Sequence, residues 1–294
     1  MLVVTLAAVV VSSLFWREHV SVRSIENRLA LAQNRWIERA ALDWARVILR
    51  ADIRSGPADH LGEPWAVPVV DTRLDETVTA GAKISDPSRS AMLAGQISDA
   101  QSRLNLASLA GPNGIASEQN VAALRKLLSL LGKPESLADD ALTRVLAAAP
   151  TVVNGQLVPA QRLPLTRLAD LAENPSFDPG TLAALEPYVT VLPRPTLINV
   201  NTASAEVIAA ALPSVDLSAA RRFVARRERT FFRSLSQAAE QIDGRPVLPL
   251  SMFSVGSSFF LVRGVIRYDR VESQSETLLE RTNDRVEVIW QHRY

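Results

Sequence analysis

The chain has no cysteine among its 294 residues. Disulfides, thiolate catalysis and Cys-ligated zinc or iron–sulfur centres are therefore excluded. Histidine is almost as scarce: His19, His60 and His292 lie far apart in the sequence. Each reads as a surface or interface residue, and no imidazole-based metal site or Ser-His-Asp signature is visible. A charge excess of one sign is also lacking. The 32 Lys+Arg against 31 Asp+Glu leave a formal charge of +1, so no global field draws the chain to nucleic acid or acidic substrates. The serines have no nucleophile elbow, since Val255-Gly256-Ser257-Ser258 is not one. The adjacent carboxylates Asp75 and Glu76 do not by themselves make a glycosidase-like pair. A non-enzymatic chain is expected.

Proline and glycine are missing before Gly56. Met1 to Trp16 carries no charge, and Arg17, Glu18 and His19 end that run. It reads as a membrane span, although it is shorter than the roughly 20 residues of a full crossing. A signal peptide would have a basic segment ahead of the apolar run and a small-x-small cleavage site, and neither is present; a buried core helix is the other alternative. A few upstream residues, including a basic segment, are expected. They would complete the span and satisfy the charge rule that the basic residues after Trp16 otherwise oppose.

The helical pattern continues past the charges. Val22, Ile25, Leu29, Ala32, Trp36, Ala40, Trp44 and Val47 step by three or four residues, and charged residues fill the other faces. The pattern predicts one helix of about 50 residues, roughly 75 Å long. Its amphipathic part should lie on a folded body, with Trp36 and Trp44 supplying apolar area.

Beyond Gly56, Trp65 to Val70 reads as extended, with Pro68 at an edge. Thr77 to Ser85 and Ala91 to Ser98 read as strands of a hairpin around Asp86-Pro87-Ser88. Gly111-Pro112-Asn113-Gly114 is a loop and a candidate boundary. From Ser117 to about Arg245 the signals are helical. Ser117, Ser136 (with Asp139 as a capping box), Thr166, Asp178-Pro179, Ser204, Ser218 and Ser234 are the expected helix starts. Strand signals return at Phe259 to Tyr268, Glu276 to Thr282 and Arg285 to Gln291, the last two joined by Asn283-Asp284. The predicted fold is α+β: a long N-terminal helix packed on a small antiparallel sheet, with a large all-helical insertion between strands. The predicted divisions are 1–16 for the membrane part, 17–110 for helix and first strands, 111–248 for the helical insertion and 249–294 for the closing strands.

This organisation resembles type IV pilins and the pseudopilins of type II secretion. Four stretches narrow it: Asn34-Arg35-Trp36 with Ala40 to Ala45; His60-Leu61-Gly62-Glu63-Pro64-Trp65-Ala66; Gly95 to Leu106; and Leu197-Ile198-Asn199-Val200-Asn201-Thr202-Ala203. Together they resemble the general secretion pathway protein K family of large minor pseudopilins. The resemblance implies a subunit at the tip of a short periplasmic pseudopilus, held in the bacterial inner membrane by one span, with its bulk in the periplasm. Implied partners are the I- and J-type minor pseudopilins, other pseudopilins, the inner-membrane assembly platform and the lipid bilayer. Val22, Ile25, Leu29 and Trp36 are the expected contacts with partner helices, and Trp44 and Val47 are expected against the chain's own sheet.

The resemblance also implies calcium binding through a carboxylate-rich stretch of the helical domain. Here that stretch reads Asp139-Asp140-Ala141-Leu142, where adjacent Asp side chains diverge and too few oxygens gather for calcium. No cofactor is expected. The prepilin leader with its glycine is not seen, so the start is either processed or truncated.

A rival reading is a membrane-anchored helix-hairpin-helix DNA-binding protein. Ile198 to Ser204 resembles the opening of such modules, and Arg221, Arg222, Arg226, Arg227 and Arg229 cluster after it. The hairpin Leu212-Pro213-Ser214-Val215-Asp216-Leu217 lacks glycines, and Asp216 would repel a phosphate. The arginines therefore read as a solvated or protein-facing surface, and no nucleic acid is expected.

Overall fold

The computed structural model describes residues 1–74, 91–111, 114–153, 156–268, 271–283 and 285–294. The expected strand Thr77 to Ser85, the turn Asp86-Pro87-Ser88, the Asp75-Glu76 pair and parts of the loops at 112–113 and 284 lie outside them.

The first element is a single helix, α1 (Leu2–Asp52), uninterrupted because no proline or glycine falls within it. Its N-terminal part is long and apolar enough to cross a membrane, and it is not buried against the described residues. A 3₁₀ turn at Pro64–Ala66 and two strands follow, β1 (Val69–Leu74) and β2 (Ala91–Asp99). The helical unit contains α2 (Glu118–Leu130), α3 (Leu137–Leu146), α4 (Pro179–Leu185), α5 (Ala205–Ala211), α6 (Leu217–Arg227) and α7 (Leu235–Glu240). The chain closes with β3 (Phe259–Tyr268), β4 (Val271–Thr282) and β5 (Arg285–Arg293).

These five strands form one antiparallel sheet in the order β1-β2-β3-β4-β5. β2 lies directly on β3, with Ala91 opposite Tyr268 and Asp99 opposite Phe260. The helical unit is therefore inserted between neighbouring strands. Alternation along β3 sends side chains to both faces. Phe260 packs with Ala45, Leu49, Trp65, Ile97, Leu279 and Val286 on the α1 side. Phe259 and Leu261 pack with Ala100, Leu192 and Leu278 on the other.

Capping chemistry sets most helix starts. Asp178 accepts from Thr181 N at 2.8 Å ahead of Pro179, Ser204 from Val207 N at 3.3 Å, and Ser234 from Gln237 N at 3.2 Å. α2 ends at Gly132, whose φ of 65° suits the left-handed end of a helix. Two expected starts change, and a third keeps its place without its expected capping bonds. α6 is capped by Asp216, which accepts from Ala219 N at 2.7 Å, and so begins before Ser218. Ser136 precedes α3 as expected but makes no side-chain cap, and Asp139 pairs with Arg125. Thr166 donates to Asp170 beside a 3₁₀ turn at Leu168–Glu173.

Candidate interaction surface and the buried joint behind it

The side chains expected to meet partner helices are open. Val22 is 51% exposed, Ile25 56%, Leu29 61% and Trp36 69%. Trp44 and Val47 are more open than expected, at 53% and 60% exposed, although Trp44 lines a cleft with Leu93, Ile97 and Val262 of the sheet. α1 turns a different face inward: Ala30, Asn34, Glu38, Ala45, Leu49 and Asp52 are buried. Small residues there let the helix approach the sheet closely, and the polar ones find partners on it. Asn34 Nδ2 donates to Val271 O at 3.4 Å. Glu38 accepts from Gln291 Nε2 at 2.7 Å and from Arg293 Nε at 2.8 Å. The indole filling the helix–sheet interface is Trp65, edge-on to Phe260 with ring centroids 5.2 Å apart. Large apolar side chains thus stay outside, and a groove of about 590 Å³ runs between α1 and β5, lined in part by Trp36, Arg39, Leu42, Val288 and Arg293.

Behind this surface, three of the sequence stretches singled out above meet in one polar joint. Asp99, at the end of β2, is buried and accepts from Thr202 Oγ1 at 2.6 Å, Ser257 Oγ at 2.6 Å, Asn199 Nδ2 at 3.0 Å and Gln101 N at 2.7 Å. Gln101 Oε1 takes the Ser258 N–H at 2.6 Å. Asn201 exchanges two hydrogen bonds with the Phe232 backbone, donating at 2.8 Å and accepting at 2.9 Å. Its loop-pinning role was legible from sequence; that its neighbours Asn199 and Thr202 tie the helical unit to Asp99 at the end of β2 was not, because the partners are distant in the chain.

The joint continues to the end of α1. Arg281 on β4 donates to Asp52 Oδ2 at 2.7 Å, to Asp59 Oδ1 and to Ser257 O at 2.9 Å, and its guanidinium lies 4.6 Å from the centre of the Phe260 ring. Asp59 Oδ2 accepts from Ser257 N at 2.6 Å. Glu63 Oε2 accepts from His60 N at 2.9 Å and from Trp65 Nε1 at 2.7 Å. Burial is the largest influence on all of these groups. It raises the Asp52, Asp59, Glu63 and Asp99 carboxyls above their ordinary values and lowers the His60 imidazole. The arrangement holds together chain segments that are distant in the sequence.

The arginine cluster of α6 is largely engaged within the chain. Arg222 and Arg226 pair with Asp243 at 2.6 and 2.9 Å. Arg227 is buried, donates to Val200 O at 2.8 Å and Ala203 O at 2.6 Å, and is pulled down by burial to about 10. The hairpin between α5 and α6 turns carbonyls toward Lys126 Nζ, which donates to Leu212 O at 2.8 Å and Val215 O at 2.9 Å. Asp139, in the stretch compared with a calcium site, is exposed and pairs with Arg125.

Two family models, each described as type II secretion system (T2SS) protein K, match residues 102–194 and 198–255. The chain belongs to the type II secretion system protein K family. The type II secretion system protein K of Pseudomonas aeruginosa is 29% identical over 284 residues, covering 89% of this chain and 80% of that protein. A chain in the crystal structure of the GspK-GspI-GspJ complex from the enterotoxigenic Escherichia coli type 2 secretion system matches with a TM-score of 0.70 and 22% identity, over 93% of this chain and 99% of that one. The protein K fold therefore includes the long helix, antiparallel sheet and inserted helices described here.

Proposed function

We propose that this chain is a non-enzymatic minor pseudopilin at the tip of the type II secretion pseudopilus. In this reading Met1 to Trp16 anchors the chain in the inner membrane and the bulk lies in the periplasm. Residues 17–110 and 249–294 form a pilin-like body, and 111–248 an inserted cap that blocks further subunits above it. I- and J-type minor pseudopilins are its partners, a reading supported by the make-up of the related GspK-GspI-GspJ complex.

The observation carrying the proposal is the exposure of Val22, Ile25, Leu29 and Trp36 on the same helix as the apolar anchor. An apolar stripe left open on a folded body costs hydration free energy of about 25 cal/mol per Å², which burial between helices recovers. The same contacts offset the cost of drawing the anchor out of lipid during assembly. The helix-hairpin-helix alternative is not favoured, since the hairpin presents carbonyl oxygens to Lys126 and most α6 arginines have intrachain partners.

The test is co-purification of the chain with the I- and J-type minor pseudopilins, followed by size exclusion with light scattering. A stable one-to-one-to-one complex supports the proposal. Elution of this chain alone, with the long helix intact, overturns it.

A further inference from the structure

Asp52, Asp59 and Glu63 come from the last turn of α1 and the loop after it. Each offers a carboxylate oxygen, and these oxygens all lie within 4.8 Å of one another. All three residues are buried. Among the described residues, the only basic side chain hydrogen-bonded to any of them is Arg281, which bonds Asp52 and Asp59 but makes no bond to Glu63. Three carboxylates against one guanidinium leave two negative charges without a counter-charge. His60 does not supply one: its Nδ1 accepts the Gly62 N–H at 3.1 Å, so the ring carries no proton there, and its Nε2 is 3.8 Å from Glu63 Oε1.

The donors around the cluster identify where the missing partner belongs. Asp52 Oδ2, both Asp59 oxygens and Glu63 Oε2 each receive an N–H. Asp52 Oδ1 is buried and receives none, although the Asp52 side chain is only 4% exposed. An orphaned carboxylate oxygen is costly in such a place unless something positive meets it.

We propose that Asp52, Asp59 and Glu63 hold a divalent cation of the oxygen-liganded class, for which calcium is the probe, at the joint of the long helix, the sheet and the helical unit. Oxygens bound to one calcium at about 2.3–2.6 Å can stand up to roughly 5 Å apart, so a single ion reaches all three groups. One divalent ion cancels the residual charge, whereas one shared proton leaves half of it. Carboxylates retain a second lone pair on oxygens that already accept an N–H, and water completes the six to eight ligands that calcium takes. The site differs in place and residues from the Asp139-Asp140 stretch, and it is independent of the tip assignment. Its effect is to lock the end of α1 to the loop that carries Trp65.

Terbium luminescence on the full-length chain in detergent, stripped with a chelator, tests this. Trp65 Nε1 is bonded to Glu63 at 2.7 Å, so the indole is placed to sensitise an ion at the site. The expected result is terbium emission that calcium displaces, that falls about tenfold in Asp52→Asn and Trp65→Phe, and that persists in Asp139→Asn. Occupancy by calcium should also raise the unfolding midpoint of the unmodified chain by about 3 °C over the chelated form. Absent emission, emission unaltered by Asp52→Asn, or a midpoint indifferent to calcium would each overturn the proposal. The midpoint measurement keeps the test decisive should the Asp52 variant fail to fold.

Discussion

Arg281 on β4 donates from Nη1 to Asp52 Oδ2 at 2.7 Å, with only 9% and 4% of the two side chains exposed. The strand pair that closes the sheet is thereby fastened to the last turn of the helix that opens the chain. Removing one member of a buried ion pair leaves the other charge uncompensated, a loss of about 3–5 kcal/mol. Arg281→Met should therefore lower stability by that amount in denaturant unfolding of the whole chain. A change below about 1 kcal/mol, the scale of an exposed pair, would mean that the guanidinium does not hold the joint.

Trp36 stands 69% exposed on the outer side of α1. Trp36→Asp should leave the unfolding midpoint nearly unchanged, because exposed substitutions usually stay within about 0.5 kcal/mol. Pulldown of the I-type minor pseudopilin should weaken. Equal capture by variant and parent would remove Trp36 from the proposed partner surface.

The arginines of α6 should separate sharply by role. Arg227 is buried against two carbonyls, Val200 O and Ala203 O. Arg227→Ala should cost about 2–3 kcal/mol, since buried acceptors lose a charged donor. Arg222→Ala should cost under about 1 kcal/mol, because its pairing with Asp243 is at the surface. Thermal scans of the two variants side by side check the contrast; equal losses would contradict it.

Two helix caps should make the helical unit acid-sensitive. The Ala219 N–H holds the Asp216 carboxyl below its ordinary 3.8, and the Thr181 N–H does the same for Asp178. A depressed folded value means that the stabilisation is complete above the unfolded value and is lost as pH falls through the folded one. The stability of the parent chain should therefore decline below about pH 4. A variant carrying Asp178→Asn and Asp216→Asn keeps both caps without titration, and its midpoint should fall less steeply between about pH 4 and pH 2. Parallel slopes would show that these carboxyls do not contribute.

Local signals were enough for much of the architecture. The absence of proline and glycine before Gly56 dictated one long helix, since nothing in that stretch breaks the backbone ladder. Apolar, β-prone content placed Phe259–Tyr268, and short polar side chains ahead of apolar runs marked the caps at Asp178, Ser204 and Ser234. The Leu197 to Ala203 stretch pointed to the family before its contacts were known. These properties depend on neighbours within a few residues, which a sequence displays directly.

Tertiary structure decided which face of α1 packs. Periodicity showed an apolar stripe through Trp36 and Trp44, yet the sheet takes the side bearing Ala30, Asn34, Glu38, Ala45 and Leu49. A buried Glu38 is unreadable from helical spacing alone, because its stabilisation comes from Arg293 and Gln291 at the other end of the chain. The same holds for Asp52, Asp59 and Glu63, which a linear reading scatters over a helix end and a loop. Their convergence on Arg281 and Ser257 follows from β4 and the helical unit folding back onto α1. Sequence determined the elements and most of their caps; long-range charge and hydrogen-bond complementarity determined which side chains of α1 were buried and which were left outside.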